Sequence, residues 1–231
     1  RIGVAVEQPV LYARAAYTYT EDGQLLTESF YDVEGKPVII DRGYASSRRG
    51  YARIEGQDKL ALLSEEFFDA QGAYARIPGG YARKRNVYED GRIVSTAYYD
   101  KDGGLTRPAG GYALLMYAYA ADGTLAGKAY FGAGGQKDPV IGPEGGAVVE
   151  YAYQAATDPS GRRADRLLSM RVYDAQRRPV LGVSKFHRQE NTYDEHGNLI
   201  RTDYYGTEGE RVKALDGYAS ITHAYDPDHR V

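Results

Sequence analysis

Short runs in which apolar and polar side chains alternate recur along the whole chain, and each is closed by a glycine turn. Leu25-Leu26-Thr27-Glu28-Ser29-Phe30-Tyr31 is one such run; Arg92 to Tyr99, Leu125 to Phe131 and Leu199 to Tyr205 are others. A period of two argues for half-buried β-strands. The runs follow Thr20-Glu21-Asp22-Gly23, Glu89-Asp90-Gly91, Ala120-Ala121-Asp122-Gly123 and Asp194-Glu195-His196-Gly197, whose glycines supply the positive φ of tight hairpin turns. Seven and eight residues beyond those glycines stand the aromatic pairs Phe30-Tyr31, Tyr98-Tyr99, Tyr130-Phe131 and Tyr204-Tyr205, and four residues after each pair comes a second glycine, Gly35, Gly103, Gly135 or Gly209. In two copies the first interval is longer by four, from Gly56 to Phe67-Phe68 and from Gly161 to Val172-Tyr173, while Asp69 with Gly72 and Asp174 with Pro179-Val180 keep the rest of the frame.

A second period overlies the first. Tyrosines recur seven residues apart at Tyr12 and Tyr19, Tyr44 and Tyr51, Tyr81 and Tyr88, Tyr112 and Tyr119, and Tyr218 and Tyr225, with Phe186 and Tyr193 as a variant pair. Four of the leading tyrosines sit in Gly-Tyr-Ala, and Ala147 fills the slot in a degenerate copy followed by Tyr151 and Tyr153. Units therefore start near 12, 44, 81, 112, 147, 186 and 218, spaced 32, 37, 31, 35, 39 and 32 residues apart. That spacing suits one supersecondary unit and is too short for a domain. The expected fold is all-β: about six tandem β-hairpin units of roughly 34 residues in one elongated, solenoid-like array over 1–231. Val6-Glu7-Gln8-Pro9-Val10 echoes Val33-Glu34-Gly35-Lys36-Pro37-Val38, and the last unit stops at Asp228-His229. Both ends thus fall mid-repeat, which favours a window cut from a longer polypeptide or a ring closed by joining its ends.

Parity gives an expectation for the buried face. On the strand after the first turn the even positions read Leu25, Thr27, Ser29, Tyr31, then Ile93, Ser95, Ala97, Tyr99, then Leu125, Gly127, Ala129, Phe131. This smaller, more apolar set is the expected core, which would leave Phe30, Tyr98, Tyr130 and Tyr204 on the exposed face beside Glu28, Lys128 and Thr202. One segment, Asp58 to Phe68, carries helix formers with apolar residues at three- and four-residue spacing. Repeat register puts it on a strand, and tertiary context overrides propensity.

Composition narrows the chemistry. With 29 Lys and Arg against 32 Asp and Glu the formal charge is −3, so the net field gives no grip on polyanions and nucleic acid is not the expected partner. There is no cysteine, which removes disulfides, thiolate metal sites and cysteine nucleophiles together. No apolar run approaches the roughly 20 residues of a membrane span. His187, His196, His223 and His229 lie in different units without metal-ligand spacing, and no EF-hand, phosphate-binding loop or nucleophile elbow occurs. Turn carboxylates such as Asp32, Asp100 and Asp226 suit acceptors for their own backbone. Neither a cofactor nor catalysis is implied. Arg162, Arg163, Arg166, Arg171, Arg177 and Arg178 make one unit basic, as a solvated face does.

What remains is a ring repeated once per unit. Tyrosine joins an apolar ring to a hydroxyl at low rotamer cost, which suits sugars and protein surfaces alike. On this reading Phe30, Tyr98, Tyr130 and Tyr204 form a multivalent ligand-binding strip; the alternative is that the rings are cross-strand and inter-repeat contacts of a scaffold. The units Tyr-x-Tyr-x-x-Asp-Gly-x-Leu and Tyr-Tyr-Asp-x-x-Gly-x-Pro-Val, with Tyr193-Asp194-Glu195-His196-Gly197-Asn198-Leu199, resemble the tyrosine-rich RHS/YD hairpin repeats of bacterial proteins. Tyr98-Tyr99-Asp100-Lys101-Asp102-Gly103 is also similar to choline- and glucan-binding repeats, though those use tryptophan and run shorter. The resemblance implies a hairpin array at a bacterial cell surface, appended to a functional module and binding cell-wall or surface glycans; the alternative is a structural or protein-interaction scaffold.

Overall fold

A computed structural model of the chain describes residues 12–225 apart from 56, 58, 158 and 159. The Val6–Val10 echo, the turn at Gly56, Asp58, Asp226, Asp228 and His229 lie outside the described residues. The chain divides into two compact units, Arg1–Ala109 and Gly110–Val231. The first contains β1 (Arg14–Tyr19), β2 (Leu25–Tyr31), β3 (Ser46–Ala52), β4 (Ala61–Phe68), β5 (Arg83–Glu89) and β6 (Arg92–Tyr99). The second contains β7 (Leu114–Tyr119), β8 (Leu125–Phe131), β9 (Val148–Gln154), β10 (Arg166–Tyr173), β11 (Arg188–Tyr193), β12 (Leu199–Tyr205) and β13 (Ser220–Thr222). In each unit every strand pairs antiparallel with its sequence neighbours, and the last strand never returns to the first. Among the described residues there is no α-helix, only a single 3₁₀ turn at Gly135–Lys137. The segment with helical propensity is β4, so repeat register prevails there.

Two kinds of connection alternate. Tight hairpins join β1 to β2, β3 to β4 and so on, while the return to the next hairpin is a longer excursion that folds back over one face. In 32–45 the chain turns at Asp32, whose Oδ1 accepts the amides of Glu34 and Lys36 at 2.9 Å each. Gly35 takes φ +80° there, a conformation that costs other residues strain. The chain next brings Val38 N–H to the Phe30 carbonyl at 3.0 Å and turns again between Ile40 and Tyr44. It then lets Ala45 accept from Phe30 N–H at 2.9 Å. The same clasp grips Phe67 (Ala75, Ala82), Tyr130 (Val140, Ala147), Val172 (Val180, His187) and Tyr204 (Val212, Ala219).

The excursion is therefore a second layer, and the core lies beneath it. In the first unit the core comprises Phe30, Ile40, Tyr44, Phe67 and Ala75; in the second it comprises Leu115, Tyr130 and Val149. The alanine of Gly-Tyr-Ala is enclosed in three of its four copies, with Ala45 at 1% and Ala82 and Ala113 at 0% exposure, while Ala219 is half-buried.

The parity expectation is reversed. Glu28, Phe30, Phe67, Tyr130, Val172 and Thr202 are buried and Phe30, Phe67, Tyr130, Val172 and Tyr204 are clasped by the excursions, so the set holding Glu28 and Phe30 in β2 faces the covering layer, although Ala97, Ser169 and Asp203 on the other face are buried as well. The physical cause is a β-bulge in every hairpin. Thr18 pairs with Thr27 but Tyr19 with Leu25, so Leu26 is skipped; Leu63, Val94, Ala126, Leu168 and Ile200 are skipped likewise. An inserted residue exchanges the faces on its two sides. Leu25, Ile93 and Leu125, which made the even set look apolar, consequently share the covered face with Phe30, Tyr98 and Tyr130.

Candidate functional site

The four rings expected to form an exposed strip sit differently. Phe30 is 1% and Tyr130 2% exposed, and Tyr98 and Tyr204 are half-buried. Phe30, Tyr130 and Tyr204 occupy the slot clasped by the covering excursion, and the Tyr98 carbonyl accepts from Thr106 N–H at 3.0 Å. In the first unit the rings run as a continuous row, Tyr12 to Phe30 at 4.8 Å, Phe30 to Tyr44 at 6.2 Å, Tyr44 to Phe67 at 5.0 Å, Phe67 to Tyr81 at 5.9 Å and Tyr81 to Tyr98 at 5.0 Å. In the second unit Tyr112 meets Tyr130 at 5.1 Å and Phe186 stacks on Tyr204 at 5.0 Å. In the first unit the ring of each excursion thus alternates with the first ring of each aromatic pair, at centroid distances typical of packed aromatics, while in the second Ala147 and Val172 interrupt the row. The expected accessibility fails at Phe30 and Tyr130 because the excursion covers them.

The covered face also buries charge. Glu28 is 3% exposed and accepts from the Tyr44 hydroxyl at 2.8 Å and Ser47 Oγ at 2.9 Å, with Arg42 at 3.3 Å and Arg49 at 3.6 Å. Burial alone raises its carboxyl pKa, yet the hydrogen bonds from Tyr44 and Ser47 and the two guanidinium charges outweigh burial and hold it below the ordinary value. Burial and the Glu28 carboxylate push the Tyr44 hydroxyl far up, which keeps it a neutral donor. The second unit repeats the idea with other residues. Glu144, reaching in from the excursion, accepts from Tyr130 at 2.6 Å and lies 3.4 Å from Lys128; burial and this carboxylate push the Tyr130 hydroxyl up likewise. On the other face of β12, beside Tyr205, Asp203 is 8% exposed and is bracketed by Arg201 at 2.9 Å and by Arg211. Each node satisfies its carboxylate with hydrogen bonds and ion pairs from neighbouring side chains.

The opposite face, which the excursions leave uncovered, bears the second ring of each pair. Arginine planes lie over them: Arg14 is 4.2 Å from the Tyr31 centroid, Arg83 5.3 Å from Tyr99, and Arg188 4.2 Å from Tyr205. Each of these pairs is a direct cross-strand register pair. The recurring tripeptide that leads into the strand, Tyr12-Ala13-Arg14 and Tyr81-Ala82-Arg83 with Phe186-His187-Arg188, is the sequence signal for this device. In the basic unit, Arg163 pairs with Asp165 at 2.5 Å, Arg178 with Asp174 at 2.7 Å, and Arg177 with Glu150. His187 stands in the enclosed alanine slot; its Nδ1 lies 2.7 Å from the Val172 carbonyl, which only accepts, so Nδ1 carries the proton.

No protein-family model and no curated protein matches the sequence. Among solved structures, one described as the crystal structure of TcdB2-TccC3-TEV is similar at 13% identity and a TM-score of 0.17, covering 85% of this chain. This chain spans 12% of the length of that one. At that TM-score the likeness carries no argument about fold or function.

Proposed function

We propose that the chain is a structural scaffold, a solenoid-like stretch of β-hairpin repeats without catalytic function whose rings hold its layers together. The carrying observation is the burial of Phe30 within a row of packed rings and of Tyr130 against Tyr112, where a glycan could not reach them. The tyrosine seven residues after the unit start supports the same reading. Hairpins are paired along their full length, but neighbouring hairpins share ladders of only three residue pairs, as between β2 and β3 or β4 and β5. Beyond the ladder the gap is spanned by tyrosine hydroxyls: Tyr51 donates to the Leu25 carbonyl at 3.1 Å, Tyr193 to Leu167 at 3.0 Å and Tyr225 to Leu199 at 3.0 Å. These carbonyls belong to the residues beside the bulge. Repetition of tyrosine therefore serves cohesion between units.

The glycan-binding reading keeps only the half-buried Tyr98 and Tyr204. Polysaccharide pull-down separates the two readings. The scaffold reading expects no capture that depends on these rings; capture by the wild type that is abolished in Tyr98→Ala and Tyr204→Ala, with unfolding midpoints unchanged, would overturn it.

A further inference from the structure

The uncovered face is built differently in the two compact units. In the first, one cross-strand row reads Thr27, Arg48, Glu66, Arg83, and it is filled: Arg48 pairs with Glu66 at 2.6 Å and lies 5.5 Å from the Phe68 ring centroid. In the second, the rows over β7 to β9 read Met116, Ala129, Val148 and Ala118, Gly127, Glu150. Small apolar side chains there leave a depression of about 520 Å³ on the sheet. A volume in this range accommodates a small ligand. Gly127 is required at its centre, since a Cβ would come within 2.9 Å of the Val149 carbonyl oxygen.

The wall of the depression is charged. Glu150 is neutralised by Arg177. Arg171, the next residue across from Glu150, is half-buried and has no ion pair among the described residues; its neighbour on the far side is Arg188, which is engaged with Glu190 at 3.0 Å. A guanidinium beside an apolar floor, with its nearest carboxylate already taken, is suited to an anion carried on an apolar body.

We propose that this depression is a binding site for a small amphipathic anion, its apolar body seated on Met116, Ala118, Gly127, Ala129 and Val148 and its carboxylate or sulfonate held by Arg171. None of these residues belongs to the covered core, so the site is independent of the scaffold role. Fluorescence titration of the intact chain with anilinonaphthalene sulfonate, beside uncharged phenylnaphthylamine, tests it. The expected result is one saturable site for both probes. Ala118→Leu and Ala129→Leu, which fill the floor, should weaken both about tenfold or more, and Arg171→Gln should weaken the sulfonate about tenfold and leave the neutral probe unchanged. Ala118 is exposed, so its leucine variant tests the floor even if Ala129→Leu disturbs folding. Absence of saturable binding, unchanged affinity in the Ala118 variant, or an equal loss of both probes in Arg171→Gln would overturn the proposal.

Discussion

A tyrosine hydroxyl at the end of a short ladder and a carboxylate in a tight turn carry much of this structure residue by residue. Tyr51→Phe or Tyr193→Phe removes one donor from a bulge carbonyl and should cost about 1 kcal/mol each, read from urea unfolding. The turn carboxylate shows a compensated exchange. Asp32, Asp69, Asp100 and Asp174 each accept two amides of their own turn. Gly206 occupies that slot in the sixth unit, and Glu210 reaches back instead, accepting from Glu208 N–H at 3.0 Å. A Cβ on Gly206 would collide with Glu210 Oε1, so the glutamate fills the space the missing aspartate leaves. Glu210→Ala should therefore cost about 1 kcal/mol in the wild type and close to nothing in a Gly206→Asp background, which a double-mutant cycle by urea unfolding measures. Glu28 gives a pH signature. Its folded pKa is depressed, so its contribution is present in full above the ordinary value of 4.5 and is lost as pH falls through the folded value. Glu28→Gln should cost about 1–3 kcal/mol at neutral pH, and the gap from wild type should narrow as unfolding is repeated below pH 4.5.

The strands and turns were legible because their determinants are local. Alternation, Asp-Gly turns and fixed aromatic spacing locate β2, β6, β8 and β12, and the repeat overrules the helical propensity of β4. What local pattern does not carry is the face. The bulge at Leu26 or Val94 has no signature of its own in the alternation, yet it exchanges the two sides of the strand, and only the partner strand reveals which residue is skipped. The excursion was equally hidden, because 32–45 reads as turns and a short strand, whereas its role as a lid depends on returning over Phe30. The turn glycines are a separate test at this scale. Gly72, at φ +82° with open space around it, should lose about 1 kcal/mol on change to alanine. Gly80, at φ +90° with Pro108 only 3.3 Å from where an alanine Cβ would sit, should lose more in the same thermal unfolding series.

At the scale of the whole molecule, the chain stabilises a large sheet area with few core residues by repeating one clasp, one ring row and one hydroxyl bridge. The expected exposure of Phe30 and Tyr130 failed for the same reason the face did: both are chemically suited to a ligand surface, and their burial is a property of the excursion above them. On the proposed scaffold reading these rings are the core of the molecule. Equilibrium urea unfolding of Phe30→Ala and Tyr130→Ala, with Val33→Ala (91% exposed in the wild type) as control, tests it most directly. The prediction is a loss of about 3–5 kcal/mol for each ring and less than about 0.5 kcal/mol for the control. Ring variants as stable as the control would contradict it.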